Sequence, residues 1–366
     1  MKDKAKNILF IVGNRPQFIK IAPVLKAMEQ YPELNYKLIH TGQHYDYNLS
    51  QQFFDELKIP PPDYHLECGS GTPTQQFIRI ISGLDELMKN ERPALVVVVG
   101  DTNTTSAGAV WSAINQFRLA HIESGLREWD KSIPEEINKL LTDAVSDLYF
   151  CPTQTAVENL RRQHVTGKII LSGDPGLDLL FNTSSPESGE NLLSKWNLKV
   201  SEFYLATCHR QINTDDRERL ETILTLLSTA GKPVLLSLHP RLAKAIIHFD
   251  LGSYLRDHNI IACEPLGFRH MQTLISSCDK VITDSGGLIK EAYFHSKYVI
   301  IIDRQTEWVE VVREGKGQVV GVDFTGFREA LQFQFKNTTP SLSLGDGNAS
   351  AIIAAEINSF MLSVVN

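Results

Sequence analysis

Three acidic residues in the N-terminal half of the chain stand where they could move protons. Asp101 directly follows the apolar run VVVVG, Glu123 ends the apolar segment LAHIE, and Glu135 opens a predicted helix in IPEEIN. Carboxylates held in different environments can divide the acid and base roles of one reaction. Acidic residues also cap helices and favour their first turn, so an ordinary structural role stays open for each of them.

Basic residues lie at similar places, where they could bind an anion. Arg15 and Lys20 in GNRPQFIK lie near the start of a predicted helix, whose free N–H groups and dipole attract negative charge. Two solvated cations on a capped helix explain this segment equally well. In the C-terminal half, His209 and Arg210 follow one predicted strand and His239 follows the next. Such residues at two successive strand ends favour a functional site over a purely structural role.

The segment TDSGGLIKEAYF predicts a strand, a turn and a helix in succession. Ser285, Gly286 and Gly287 would present backbone N–H groups at the helix start, an arrangement that holds phosphate groups. The glycine pair alone is a weak signal, and its position after a strand strengthens it. Ile289 and Lys290 then occupy the first turn, where polar or acidic residues are usual.

The sequence lacks the motifs of the common cofactors. It has no G-x-G-x-x-G after the first predicted strand and no G-x-x-x-x-G-K-[ST], so neither NAD(P) nor ATP is indicated. Its cysteines and histidines are scattered, without a C-x-x-C pair. We therefore expect no cofactor and no metal ion.

Apolar strand-like runs alternate with helical patterns along the whole chain, which predicts an α/β fold with two doubly wound, Rossmann-like domains. A polar segment at 181–190 separates two series of such elements. The predicted domains cover 1–175 and 176–347, and a last helix covers 348–366. Because ligands of such sheets bind beyond the carboxyl ends of the strands, the polar residues above are expected to line one cleft.

The composition is that of an ordinary globular chain, with 366 residues of which 42% are hydrophobic. Its 36 basic and 43 acidic residues leave a net charge of −7, which argues against a nucleic-acid partner. Dispersed cysteines, no signal-peptide pattern and no apolar run of membrane-spanning length favour a cytoplasmic protein without a membrane partner. These observations predict an enzyme that binds a phosphorylated small molecule.

Several long motifs resemble those of the non-hydrolysing UDP-N-acetylglucosamine 2-epimerases. GNRPQFIKIAPV, TGQHYD, GDTNTT, HIESGLR, PEEINKLLTD, EPLGF and TDSGGL fall at matching places across about residues 7–321. Details such as KEAYF and TEWVE are closer to a branch that acts on UDP-2,3-diacetamido sugars or serves antibiotic and polysaccharide pathways. The resemblance implies a glycosyltransferase-B-like fold whose C-terminal helix crosses back to the first domain, and a homodimer.

The resemblance also implies an isomerase that interconverts UDP-GlcNAc and UDP-ManNAc. The C1–O bond to UDP breaks as C2 loses its proton, and UDP then adds back to the 2-acetamidoglucal with proton delivery to the other face. The C2 proton is not acidic, so cations must stabilise the departing diphosphate. Two faces of C2 need two proton-handling groups, and no NAD is needed because nothing is oxidised.

Other functions remain open beside this one. The substrate could be UDP-2,3-diacetamido-2,3-dideoxy-glucuronate or another UDP-HexNAc, and a hydrolysing variant would release UDP and free ManNAc. A non-catalytic relative would only bind the nucleotide sugar. Loss of one of the family's three acidic residues or its histidine would have favoured that reading, and all four are present here. A glycosyltransferase of the same fold is disfavoured by the number of matching epimerase motifs.

The family's functional residues match named positions of this chain. The catalytic positions are Asp101, Glu123, Glu135, His209 and Lys20, of which Lys20 forms a cationic pair with Arg15 near the diphosphate. The substrate-binding positions are Arg15, Arg210, His239, Phe268, Ser285, Gly286, Gly287 and Glu291, with Glu291 on the ribose hydroxyls and Phe268 near the uracil. Gln43 and His44 match a motif tied in some members to a second, activating UDP-sugar site.

Three departures from the family pattern lie in the second half. Ile289 replaces a Gln, Ile212 replaces a Glu, and Asp303-Arg304 reverses an Arg-Asp pair. The carboxylates of the first half are intact. We therefore expect the proton chemistry to be retained and the recognition of nucleotide or sugar to differ.

Overall fold

A computed structural model describes residues 7–42, 59–69, 71–89, 91–182, 189–256, 259–321, 323–336 and 342–365. The chain forms two compact units, Met1–Thr183 with Leu342–Asn366 and, as the second, Ser184–Ser341. Each unit is built around one parallel β-sheet.

The sheet of the first unit consists of β1 (Asn7–Val12), β2 (Asn35–His40), β3 (Tyr64–His65), β4 (Leu95–Val99), β5 (Leu119–Ile122), β6 (Leu148–Cys151) and β7 (Lys168–Leu171). The strands lie in the order β3-β2-β1-β4-β5-β6-β7, and neighbouring strands are parallel. The chain order reverses between β1 and β4, the point at which a doubly wound sheet opens a crevice for a ligand.

The helices of the first unit are α1 (Arg15–Met28), α2 (Pro73–Leu87), α3 (Asn103–Ile114), α4 (Pro134–Val145), α5 (Gln154–Arg162), α6 (Pro175–Asn182) and, from the end of the chain, α15 (Ala349–Val365). They cover both faces of the sheet, so β4 (LVVVV) is buried along its whole length. Phe10 and Phe18 pack with Ile357 of α15 on one face. Ile11 packs with Trp111 of α3 on the other.

The sheet of the second unit consists of β8 (Tyr204–Thr207), β9 (Val234–Ser237), β10 (Ile260–Cys263), β11 (Lys280–Thr283), β12 (Tyr298–Ile301) and β13 (Gly317–Val319). Its parallel strands lie in the order β10-β9-β8-β11-β12-β13. The chain order therefore reverses between β8 and β11. This second switch point brings the segments after those two strands side by side.

The helices of the second unit are α7 (Gly189–Ser194), α8 (Gln211–Thr214), α9 (Arg217–Ser228), α10 (Pro240–His248), α11 (Phe268–Ser277), α12 (Gly286–Phe294), α13 (Val309–Arg313) and α14 (Phe327–Gln332), with a 3-10 turn at Gly252–Leu255. One face of the sheet buries Ala206, Ile282 and Ile300 against Leu220 and Leu224 of α9. Along the described residues, none of the helices combines the length and the apolar composition needed to cross a membrane.

Several short elements were not predicted from the sequence. They are the two-residue edge strand β3 and the helices α6, α7, α8, α10, α13 and α14. All seven of these elements have at most nine residues, too few for a helical or strand period to stand out from its surroundings. Both ends of the predicted polar segment at 181–190 are helical, because α6 ends within it at Asn182 and α7 begins within it at Gly189.

The division into units also differs from the predicted boundaries at 175/176 and 347/348. Helix α6 contacts both α1 and α15 within the first unit. The buried carboxylate of Asp178 on α6 accepts the N–H groups of Ala349 and Ser350 at 3.2 and 2.5 Å, which caps the start of α15. Because of these contacts α6 belongs to the first unit, and the boundaries fall at 183/184 and 341/342.

Replacing Ile357 by alanine is expected to lower the free energy of unfolding by about 2–5 kcal/mol, since the side chain is fully buried between α15 and the first sheet. Ile352→Ala on the same helix is the matched control, because that side chain is 36% exposed and its loss should cost less than about 1 kcal/mol. Urea denaturation followed by circular dichroism measures both. Equal losses for the two variants would show that α15 is not docked as described.

Candidate functional site

The loops after β1 and β4 are joined by the side chain of Gln17. Asn14 caps α1, and the carboxamide oxygen of Gln17 accepts the N–H of Gly13 at 2.7 Å. The amide group of Gln17 donates to the carbonyl of Val99 at 2.7 Å and to the Thr105 hydroxyl at 2.9 Å. One buried side chain therefore holds the two segments on either side of the switch point.

Gly13 is required by the close packing at this place. A Cβ atom there would lie 2.2 Å from Oγ1 of Thr104 and 2.5 Å from Oγ1 of Thr41. These two hydroxyl groups hydrogen-bond to each other at 2.8 Å. The backbone that leads into α1 therefore passes close to a hydrogen bond between Thr41, which follows β2, and Thr104 of α3.

Lys20 and Glu123 form an ion pair beyond the carboxyl ends of β1, β4 and β5. The side chains are 13% and 6% exposed, so the pair is largely withdrawn from water. Gly100 lies beside the pair in the left-handed region at φ +68°, and a Cβ there would lie 3.4 Å from Nζ of Lys20. The predicted cation and one predicted carboxylate thus meet where the strand order reverses.

Asp101 is held by helix α4. Its backbone carbonyl accepts the Asn138 amide at 2.9 Å. Nζ of the buried Lys139 lies 3.7 Å from Oδ2 of Asp101 and 3.8 Å from Oε2 of Glu128. Asp101 itself keeps 31% of its side chain exposed. It is therefore a carboxylate that faces solvent with a buried cation behind it.

Glu135 and Glu136 of α4 differ in environment. Glu135 is exposed and precedes Lys139 by four residues, which places both on one side of the helix. Glu136 is fully buried, and its Oε2 accepts the N–H of Glu128 at 2.9 Å. Glu135 is therefore accessible to solvent, whereas Glu136 is committed to a structural contact.

A fully buried carboxylate, Asp143, lies beneath these groups. Its oxygens contact Nδ1 of His121 and Nη2 of Arg127, each at 2.6 Å. The other ring nitrogen of His121 lies 2.8 Å from the carbonyl oxygen of Gly100. Burial alone would raise the pKa of Asp143, but the charges and hydrogen bonds of His121 and Arg127 outweigh it and leave the pKa below its usual value. This network ties α4 to the backbone around Gly100.

In the second unit, His209 and Arg210 follow β8. The buried carboxylate of Asp284, which follows β11, accepts both of their backbone N–H groups. The guanidinium group of Arg210 pairs with Asp303 at 2.7 Å. Burial raises the pKa of Asp303 against the opposing effect of Arg210. The ring of His239 lies 5.2 Å from that of His209, so the residues after β8, β9 and β11 meet.

Ser285 caps α12, with its hydroxyl oxygen accepting the N–H of Leu288. Gly286 and Gly287 are the first two residues of the helix, whose N–H groups have no intrahelical acceptor. A Cβ on Gly286 would meet Oε1 of Glu307 at 2.9 Å. A Cβ on Gly287 would meet only Oγ of Ser285, at 3.8 Å. Open space therefore adjoins the backbone at Gly287, as an approaching phosphate group requires.

The two unusual residues near the start of α12 are buried. Ile289 is 2% exposed and Lys290 is 6% exposed. Nζ of Lys290 lies 5.0 Å from the ring centre of Trp308, a distance at which a cation and an aromatic face attract. Glu291, about one turn from the start of the helix, accepts the amide of Gln272 at 2.8 Å.

The remaining predicted site residues have these positions. Arg15 is the first residue of α1, and Phe268 is a buried residue that opens α11. Nδ1 of His239 accepts the N–H of Arg241 at 3.2 Å. Ile212 is half-buried in α8. The predicted allosteric residues Gln43 and His44 lie outside the described residues. No group of side chains suited to hold a metal ion occurs in the described parts of the chain.

The family model described as UDP-N-acetylglucosamine 2-epimerase matches residues 26–358. The chain belongs to the UDP-N-acetylglucosamine 2-epimerase family. It is 38% identical over 350 residues to a UDP-N-acetylglucosamine 2-epimerase homolog of Methanococcus maripaludis, and the alignment covers 94% of this chain and 98% of that relative. It is 40% identical over 356 residues to the UDP-2,3-diacetamido-2,3-dideoxy-D-glucuronate 2-epimerase of Pseudomonas aeruginosa, and this alignment covers 95% of this chain and 98% of that relative.

Solved structures agree with this assignment. The crystal structure of the Methanocaldococcus jannaschii UDP-GlcNAc 2-epimerase, in complex with UDP-GlcNAc and UDP, superposes with a TM-score of 0.89 at 33% identity and covers 96% of this chain and 99% of that one. The predicted family, the two-sheet α/β fold and the isomerase class of this epimerase are therefore confirmed.

Replacing Arg127 by glutamine is expected to lower the free energy of unfolding by about 3–5 kcal/mol, because it leaves the buried Asp143 without its cation. Arg118→Gln is the control, since its ion pair with Asp147 has an arginine that is 60% exposed and should be worth less than about 1 kcal/mol.

The difference between the two variants should depend on pH. The pKa of Asp143 is lowered in the folded protein. Its contribution to stability is therefore present above the unfolded carboxyl pKa of about 4 and is lost as the pH falls through the lower folded value. Thermal unfolding across an acid pH series measures this. A gap that stays constant into strong acid would contradict the assigned network.

Proposed function

We propose that this chain interconverts UDP-GlcNAc and UDP-ManNAc by eliminating UDP to a 2-acetamidoglucal and adding it back. The observation that carries the proposal is the constellation at the β1/β4 switch point, where Lys20 contacts Glu123 and Lys139 approaches Asp101. It supplies two carboxylates in different surroundings, each with its own lysine.

This constellation suits the proposed reaction step by step. Removal of the proton at C2 and its return to the opposite face need two acid–base groups, for which Asp101 and Glu123 are the first candidates and Glu135 is the third. Loss of UDP leaves negative charge on the diphosphate, which cations such as Lys20 and Arg15 would stabilise. His209 completes the set of proposed catalytic residues.

The second unit is proposed to bind the nucleotide. The N–H groups of Gly286 and Gly287, with Ser285, would hold the diphosphate, since they lie at the positive end of α12. Glu291 would accept the ribose hydroxyl groups. The further roles of Arg210, His239 and Phe268 in binding rest on the family motifs. We also propose that the enzyme acts as a homodimer in the cytoplasm.

A second substrate is favoured by one specific observation. The Pseudomonas aeruginosa relative, at 40% identity, is named for UDP-2,3-diacetamido-2,3-dideoxy-D-glucuronate. The same elimination and re-addition would serve that sugar, because only C1 and C2 react. UDP-GlcNAc and this diacetamido sugar are therefore the two substrates to compare.

Incubation with UDP-GlcNAc in D₂O, followed by proton NMR, tests the reaction. Both epimers should acquire deuterium at C2. Asp101→Asn should slow this exchange by about 10²-fold or more because it removes a proton-handling group, while UDP binding persists. Asp85→Asn, at an exposed position of α2, is the matched control and should exchange at the wild-type rate.

Other results would redirect the proposal. Exchange only with the diacetamido sugar would move the substrate to that branch, and free ManNAc would indicate a hydrolysing enzyme. If neither sugar exchanges at C2, the chain is a binding protein and the epimerase proposal fails.

Replacing Gly287 by alanine is expected to weaken UDP binding about tenfold, close to 1.4 kcal/mol, because the new methyl group would fill the space next to the N–H donors. Thermal stability should stay level or rise slightly, since alanine favours helix. Gly252→Ala is the control, because a Cβ there meets nothing closer than Arg256 at 3.5 Å. Titration calorimetry with UDP measures the affinities. Unchanged binding by Gly287→Ala would remove this residue from the proposed site.

A further inference from the structure

We propose that the buried carboxylate of Asp284 positions the imidazole of His209 and sets its tautomer, so that His209 and the neighbouring His239 carry their protons on different ring nitrogens. Asp284 is a positioning residue in this scheme, because it acts through His209. The consequence for catalysis rests on the proposed function, whereas the tautomers themselves do not.

Asp284 lies at the second switch point, between the segments that follow β8 and β11. Its side chain has no exposed surface. The two strands are joined just before it by a 2.6 Å hydrogen bond between the hydroxyl groups of Thr207 and Thr283. Any group that Asp284 holds after β8 is therefore fixed relative to the start of α12, which follows Asp284 directly.

The two oxygens of Asp284 face different groups. Oδ2 accepts the backbone N–H of His209 at 2.9 Å, the N–H of Arg210 at 2.9 Å and the Asn213 amide at 2.8 Å. Oδ1 lies 3.0 Å from the backbone nitrogen of His209 and 3.2 Å from its ring Nδ1. The ring nitrogen of His209 therefore has a carboxylate oxygen as its neighbour.

This contact decides which ring nitrogen carries the proton. An imidazole nitrogen beside a carboxylate oxygen keeps its proton, so the neutral His209 ring is protonated on Nδ1 and its Nε2 is an acceptor. At His239 the roles of the two ring nitrogens are exchanged, because Nδ1 accepts the backbone N–H of Arg241 at 3.2 Å. The neutral His239 ring is therefore protonated on Nε2, and it offers a donor.

The two rings thus present complementary chemistry although their centres are 5.2 Å apart. Nε2 of His209 can take a proton, whereas Nε2–H of His239 can donate to an oxyanion such as a phosphate group. A pair of histidines with equal tautomers could not divide these roles.

Asp284→Asn should reverse the tautomer of His209. The amide oxygen of the new side chain is expected at the position of Oδ2, because three donors converge there. Its NH₂ group then faces Nδ1 of His209 and donates to it, which drives the ring proton to Nε2. His239 should be unchanged, since Arg241 still donates to it.

The experiment is two-bond ¹H–¹⁵N NMR of the imidazole rings in the ¹⁵N-labelled full chain, at pH about 9, where a free imidazole is neutral. The chain has 11 histidines, so the two signals are assigned by their loss in His209→Gln and His239→Gln. Wild type should show Nδ1–H for His209 and Nε2–H for His239. Asp284→Asn should change the first signal alone.

Asn213→Ala separates positioning from a purely structural role. It removes the amide that bridges Asp284 and the carbonyl of Ile302, so it should lower stability while leaving the carboxylate beside His209. Its His209 tautomer should be that of wild type. In the D₂O exchange assay, Asp284→Asn should lower kcat by about 10²-fold with little change in KM, and Asn213→Ala should not.

A wild-type His209 that carries its proton on Nε2, or one whose tautomer Asp284→Asn does not change, would overturn the inference. An altered tautomer with unaltered kcat would overturn the link to catalysis. Because the NMR measurement needs no turnover, it tests the tautomers even if the chain proves not to be an epimerase.

Discussion

Buried carboxylates organise both units, because a carboxylate removed from water has to meet donors or cations from whichever segments surround it. In the first unit Asp143 meets His121 and Arg127 and so ties α4 to the loop after β4. In the second unit Asp284 gathers the backbone N–H groups that follow β8. Both lie close to the place where the strand order reverses. We expect the positions of the proposed catalytic groups Asp101 and His209 to depend on these two acids, which are themselves fully buried.

The need of a buried carboxylate for a partner also accounts for the unfavourable backbone conformation of Glu123. Glu123 has φ +69°, a left-handed conformation that is uncommon for a residue other than glycine. Its N–H and that of Ser124 both bond the carbonyl of Phe150, at 3.0 and 3.1 Å, and its side chain is held by Lys20. These contacts offset a strain on the order of 1–2 kcal/mol. In this conformation the carboxylate pairs with Lys20 beside the β1/β4 switch point, so strain and proposed function coincide in one residue.

The sequence alone predicted every strand of the two sheets except β3, and it singled out the acidic side chains that follow β4 and β5. Buried strands such as β4 are continuous apolar runs, and Asp101 and Glu123 follow such runs directly. It was not sufficient for the supporting side chains. Gln17 had a local signal, since Asn14 three residues earlier forms a capping box with it. The sequence around Lys139 and Asp284 contains no such local signal, because their partners lie far along the chain and only the strand order brings them together. The family motifs contain these residues but do not say what they contact.

The departures in the second unit differ in how directly they reach the proposed nucleotide site. Ile289 is buried, so an apolar side chain there satisfies the packing of α12, and any effect on a ligand must pass through the fold. Asp303 contacts the guanidinium group of Arg210 at 2.7 Å, and that residue directly follows His209. A buried ion pair fixes an arginine more strictly than an exposed one, because breaking it would leave a charge without a partner. The reversed Asp303-Arg304 order therefore acts on the proposed substrate-binding arginine itself, and selectivity between UDP-sugars is expected to depend on this pair more than on Ile289.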